Sequence, residues 1–140
     1  MTLSLPERRK LSPAAVGHAK AKKLQSIKRL KDRADRALQD HYRAKYPNHP
    51  CESCGRPFQV MHHFVEKSQS TGLRFEHDNL IFLCHPCHFR HHRTGDSMVM
   101  GEVIRQRGLK WLGRIKAMKL ARKSWQLDRP FLNTQLTKYS

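Results

Sequence analysis

A chain of 140 residues with 38% hydrophobic content and a mean hydropathy of −0.75 has room for one small core and not for two full-sized domains. No apolar run approaches the length of a membrane span, and the opening MTLSLPERRK lacks the apolar stretch of a secretory signal, so a soluble, cytoplasmic setting is expected. A formal net charge of +17 far exceeds what solubility requires and asks for a polyanionic partner.

The charge is unevenly spread. Residues 1–47 carry 13 Lys/Arg against 4 Asp/Glu, residues 48–96 carry 5 against 5, and residues 97–140 carry 10 against 2. A neutral centre with all four Cys therefore lies between flanks of +9 and +8. The division expected is a basic N-terminal helical arm (1–47), a metal-clasped core (48–96) and a basic C-terminal helical region with a tail (97–140).

In chain order, residues 1–11 read as a loose basic lead-in. Ser12 then stands as an N-cap, with Pro13 at the first helical position. The helix predicted from there reaches about Tyr46 and stops at Pro47 and Pro50, with Gly17 a point of interruption. Leu24, Ile27, Ala34 and Leu38 recur at helical spacing, which leaves Lys22, Lys28, Arg29, Arg33 and Arg36 for the surface. Residues 58–65 and the apolar run Leu80-Ile-Phe-Leu83 are strand candidates, joined by a polar loop that contains Gly72. A helix is expected to follow Cys84 and to stop near Gly95. Two more are expected with Met98, Val103 and Ile104, then Leu109, Leu112 and Ile115 inside, broken at Gly108. Their exposed faces would carry Arg105, Arg107, Lys110, Arg114, Lys116 and Lys119. Beyond Asp128-Arg-Pro130 little pattern is evident.

Cys51-x2-Cys54 and Cys84-x2-Cys87 each offer two thiolates from a tight turn, together the four ligands of a tetrahedral structural zinc. A thioredoxin-like redox pair would need a βαβ pattern that is missing here, and disulfides do not suit a reducing compartment. Between the cysteine pairs lie His62, His63 and Asn79, and just after them His88 and His92. His88 and His92 are four apart and share one helical face, whereas His62 and His63 on a strand point to opposite sides. One of the adjacent pair can therefore bind a metal ion while its neighbour stays free. His77, His85 and His91 fall outside the set and are expected on the surface or behind the ligands.

Cys51-x2-Cys54, His62-His63, Asn79-Leu80 and Cys84-x2-Cys87-His88-x3-His92 resemble the HNH (His-Me finger) endonucleases with a zinc knuckle. The resemblance spans about residues 51–95. It implies an α+β fold with a ββα-metal core beside a structural zinc site, here flanked by the basic helical arms. It also implies metal-dependent hydrolysis of DNA to 5′-phosphate and 3′-hydroxyl ends. By position, His63 resembles the general base, Asn79 the residue that pins the loop and orients it, and His62, His88 and His92 the ligands of the catalytic ion. Many members have Asp where this chain has His62 and Asn where it has His88. A three-imidazole site favours transition metals such as Mn²⁺, Ni²⁺ and Zn²⁺ more than an Asp/Asn site would, and Mg²⁺ is kept as a candidate beside them. Leu73-Arg-Phe75, Asn79 and the second cysteine pair are also similar to the lambda-type phage recombination nucleases of the NinG family, which implies branched or recombining DNA.

DNA affinity is expected from Lys22, Lys28, Arg29 and Arg33 on the first arm, Arg90 and Arg93 near the histidines, and Arg114, Lys116 and Lys119 on the second arm. A single site cuts one strand, so a double cut would need two encounters or a homodimer. The alternatives are a non-catalytic zinc-ribbon nucleic-acid-binding protein and an RNA-packaging protein. Both account for the charge and neither needs the histidine spacing.

Overall fold

The computed structural model describes the backbone of residues 13–95 and 97–140, and the side chains from residue 26 onward except at position 96. Within these bounds the chain is α+β, with five α-helices and two strands. Helix α1 spans Pro13–Lys45 and passes through Gly17 without a break, contrary to the expected interruption. One glycine costs a helix only about 1 kcal/mol, which a long alanine- and lysine-rich segment absorbs. The proposed cap at Ser12 and the basic lead-in lie outside the described residues, as do the side chains of Lys22 and Leu24. Leu30, Ala34, Leu38 and Tyr42 form the buried stripe of α1 at a strict four-residue spacing, with Ile27 partly buried beside them.

Strand β1 (Val60–His63) pairs antiparallel with β2 (Leu80–Leu83), aligning His62 with Ile81 and His63 with Leu80. β1 is shorter than the eight residues expected. Its partner has only four residues, and the backbone just beyond β1 is engaged elsewhere: Val65 is held by the side chain of Asn79. The loop between the strands ends in a single 3₁₀ turn, His77–Asn79. It is less polar in effect than in composition, because Leu73 and Phe75 are buried and anchor it.

Three helices follow β2: α2 (His85–Thr94), α3 (Ser97–Arg107) and α4 (Leu109–Ala121). The break between α3 and α4 falls at Gly108, whose φ of +91° is a conformation that side chains disfavour. Val99, Val103, Trp111 and Ile115 are the residues these helices bury, whereas Met98 and Leu109, expected inside, are exposed. Arg107 is also displaced from its expected exposed face. It makes a two-pronged ion pair with Glu52 at 2.7 and 2.8 Å and donates to the carbonyls of Asp78 and Leu80, tying α3 to the first cysteine turn and to β2.

The tail is a helix, α5 (Arg129–Tyr139), contrary to its patternless reading. Asp128 caps it by accepting from the Phe131 backbone N–H at 3.0 Å, and Pro130 sits in its first turn. Leu132 and Tyr139 are buried against α1.

The alternation of β1 and β2 makes the sheet a partition. Met61, Leu80 and Phe82 join the cluster formed with α1 and α5. Val60, Ile81 and Leu83 join the cluster formed with α3 and α4, which also contains Cys51, Cys84 and Cys87.

Candidate metal centres and active site

The four cysteines converge. All are free thiols, their Sγ atoms lie within 4.8 Å of one another, and those of Cys54 and Cys84 are 3.5 Å apart. Four sulfurs around a tetrahedral zinc, each at ~2.3 Å, would stand ~3.8 Å apart, so the cluster is compatible with a zinc ion at a closed structural site. Burial opposes ionisation at Cys54, Cys84 and Cys87. At Cys54 hydrogen bonds from the Arg56 backbone and the neighbouring thiols outweigh it and bring the pKa to about 7, while burial pushes Cys84 up to about 12. A cation among them would relieve that unevenness. Arg90 turns to this centre: its guanidinium lies 3.5 Å from Cys87 Sγ.

The second cluster is made by His62, His88 and His92, whose candidate ligand nitrogens also lie within 4.8 Å of one another. His88 and His92, one turn apart on α2, bring their Nε2 atoms to 2.9 Å. His62 comes from the face of β1 opposite to His63, and its Nε2 is buried with no hydrogen-bond partner. An orphaned imidazole nitrogen aimed at two converging ones is what a ligand set looks like, since burying a polar atom alone costs about 1–3 kcal/mol. Burial, followed by the neighbouring imidazoles, lowers His62 to about 3 and His88 to about 4. Both are therefore neutral near pH 7, with lone pairs free for a metal ion. His91 is not among the ligands but stands behind them, its ring centroid 4.9 Å from that of His62.

His63 is buried, and its Nε2 lies 2.7 Å from the carbonyl oxygen of Arg74. A carbonyl only accepts, so Nε2 carries the proton and Nδ1 is left as the basic atom. Burial holds its pKa below the ordinary imidazole value, with the Arg74 hydrogen bond partly offsetting that effect. The Arg74 guanidinium forms a two-pronged pair with Asp35 of α1, at 2.5 and 3.1 Å, which anchors the loop whose carbonyl holds His63. One turn along α1, Gln39 donates to Met61 O at 2.8 Å and accepts from Met61 N at 2.9 Å. This amide takes the place of a third strand along the free edge of β1, directly before the two histidines.

Asn79 is fully buried and saturated. Its Oδ1 accepts from Val65 N at 2.8 Å, and its Nδ2 donates to Val65 O and Leu73 O at 3.1 and 3.0 Å. It joins the segment just after His63 to the loop just before Arg74.

Although His62 and His63 point to opposite faces, both reach one open cavity at the edge of β1. This cavity of 590 Å³ is also lined by His88, His92, Asp35 and Lys67. The other expected DNA contacts are dispersed. Arg93 stacks over the exposed Phe89 on the histidine side of α2, its guanidinium 5.3 Å from the ring centroid. Lys28, Arg29 and Arg33 are exposed on α1, and Arg114, Lys116 and Lys119 on α4. Asp35, Gln39 and Lys67 were not singled out from sequence, and Arg74 entered only within the Leu73-Arg-Phe75 resemblance. Their partners lie 22 to 39 residues away or across the cavity, and no local pattern reports them.

Among the described residues no helix is long and apolar enough to cross a membrane. Neither the curated proteins nor the solved structures gave a match to the chain. Residues 51–94, from the first cysteine to the last residue of α2, do match the family model of the HNH endonucleases, so this third of the chain is an HNH domain and points to nuclease activity.

Proposed function

We propose that the protein is a metal-dependent DNA endonuclease that hydrolyses phosphodiester bonds with His63 as general base, beside a divalent ion held by His62, His88 and His92. The observation that carries this reading is the single cavity into which three imidazoles and the independently anchored His63 all open. A divalent ion at the three imidazoles would supply positive charge against a non-bridging phosphate oxygen and the leaving 3′ oxygen. His63 Nδ1 takes a proton from the attacking water, a role worth ~10²–10⁴-fold. The Arg74 carbonyl keeps the ring oriented and its other nitrogen protonated, and Asn79 fixes the segments on both sides of that bond. Cys51, Cys54, Cys84 and Cys87 hold a structural zinc with no open position for substrate.

Lys28, Arg29, Arg33, Arg93, Arg114, Lys116 and Lys119 are the proposed phosphate contacts, with Lys22 outside the described side chains. Arg90, turned toward Cys87, serves the zinc site in this reading. The similarity to the NinG nucleases favours branched or recombining DNA as substrate.

The test compares linear duplex, nicked, single-stranded and four-way-junction DNA with added Mg²⁺, Mn²⁺, Ni²⁺ or Zn²⁺. His63→Ala should lose cleavage about 10²-fold or more at every metal concentration, while His88→Ala should recover part of its activity as the metal concentration rises. Cleavage by His63→Ala within a few-fold of the parent rate would reject the assigned base. No cleavage by the parent chain under any condition, with DNA binding intact, would leave a non-catalytic zinc-ribbon nucleic-acid-binding protein.

A further inference from the structure

Next to the catalytic cavity, and sharing Lys67 and Ser68 with it, a second trough of 640 Å³ runs between loop 67–71 and the C-terminal half of α4. Lys67 stands on one wall and Lys116, Lys119 and Lys123 on the other. The ion pairs in this region are Lys67 with Asp35 and Arg122 with Glu76. Among the described residues no acid pairs with Lys116, Lys119 or Lys123. Three ammonium groups along one concavity repel each other, and that cost is relieved when a polyanion lies between them.

The trough is a built feature. Gly72 abuts the end of α4 so closely that a Cβ there would stand 2.5 Å from Arg122 Cβ and 2.8 Å from the Arg122 carbonyl oxygen. Arg122 donates to Gly72 O at 3.2 Å and to Glu76 at 2.9 Å, and Thr71 Oγ1 donates to Trp125 O at 3.0 Å. These contacts hold the walls together and leave the lysines free of structural duty.

We infer that this trough is a track for the phosphodiester backbone of the DNA on one side of the scissile phosphate, with Lys67 and Ser68 at the junction between the catalytic cavity and the track. The inference rests on the nuclease reading and deepens it by giving the substrate strand a direction. Lysine ammoniums are compact point charges that attract phosphate without reading bases, so the track is sequence-independent. Its shared wall with the cavity favours a strand continuing from the reaction site over a separate acidic protein. A track on one side also makes the two flanks of the substrate unequal.

The experiment measures binding of full-length protein to short duplexes without added divalent ion, so that no cleavage intervenes. Lys116→Gln, Lys119→Gln and Lys123→Gln are combined and compared with a control carrying Lys45→Gln, Lys110→Gln and Lys138→Gln, which removes equal charge from exposed sites elsewhere. The trough variant should bind about tenfold more weakly or worse, and its log–log salt slope should fall by up to about 0.9 per lysine. With a central nick in the duplex to fix the register, shortening the flank on one side of the nick should erase that penalty, and shortening the other should not. A penalty equal to the control's, or one indifferent to which flank is removed, overturns the track. If the parent chain binds DNA in this one-sided way and never cuts it, the nuclease reading falls while the track stands.

Discussion

On the face of the sheet turned toward α1 and α5, His63 stands near Met61, Leu80 and Phe82 and is held by a backbone carbonyl of an anchored loop. On the opposite face His62 meets the imidazoles of α2, and the four thiols close the same side of the molecule. The first face holds its histidine with hydrogen bonds and an ion pair between fixed protein groups. The second presents seven side chains able to hold metal ions, of which His62 keeps a buried nitrogen with no partner in the protein. In the proposed reading, a base that must exchange protons is thus kept apart from ligands that must not, although the two are adjacent in sequence. The period-two geometry of a strand achieves this separation.

The largest effect expected is on the metal face. Cys87→Ser removes one of four ligands from a cluster at the centre of the second core. Apparent zinc-site free energies of ~10–16 kcal/mol equal or exceed the ~5–15 kcal/mol by which a domain is stable, so the site and the fold stand together. Circular dichroism should show loss of the folded signal, and elemental analysis should fall from about one zinc per chain to well below it. A folded, active variant without zinc would show that the thiols are packing residues and that neither face needs metal to fold.

A smaller effect is expected on the α1 face. Asp35→Ala breaks the pair with Arg74 and loosens the carbonyl that orients His63, while leaving the seven metal ligands in place. Turnover should drop about 10- to 100-fold, the scale of a misplacement of about 1 Å at a reacting group. Metal content should not change. Exchanging the pair, with Asp35→Arg and Arg74→Asp combined, should restore part of the rate. Loss of zinc in Asp35→Ala would show that the two faces are mechanically one.

How much of this was legible in the sequence depends on the range of each contact. The helical spacing of His88 and His92, the paired CxxC turns and the alternation of His62 and His63 are local, and their side chains meet as local geometry requires. α5 was not read because Leu132, Leu136 and Tyr139 form a thin stripe that has meaning only against α1. Asp128 two residues before Pro130 was its one usable signal. Asp35 and Gln39 were invisible for another reason. On a helix rich in charge they look like ordinary solvated residues, and only the fold reveals that one grips Arg74 and the other the edge of β1. The half-buried Arg107 was hidden in the same way.

The smallest effect expected concerns the outer surface of α1, behind the His63 face. Lys28, Arg29 and Arg33 are exposed, while Leu30, Ala34 and Leu38 on the inner stripe are buried, so the helix separates scaffold from charge within a single turn. Replacing the three cations with Gln removes no packing and no ion pair given by the described contacts, and stability should change by less than about 0.5 kcal/mol. What should change is affinity for all DNA sequences alike, because long-range attraction to phosphate carries no base information. Binding titrations across a salt series should show a loss of a few-fold and a slope flatter by at most about 0.9 for each contact removed. A slope that stays unchanged would mean that this surface never meets the phosphates. α1 would then be scaffold for His63 alone, and the trough beside α4, with Arg93 and Arg114, would carry the electrostatic attraction.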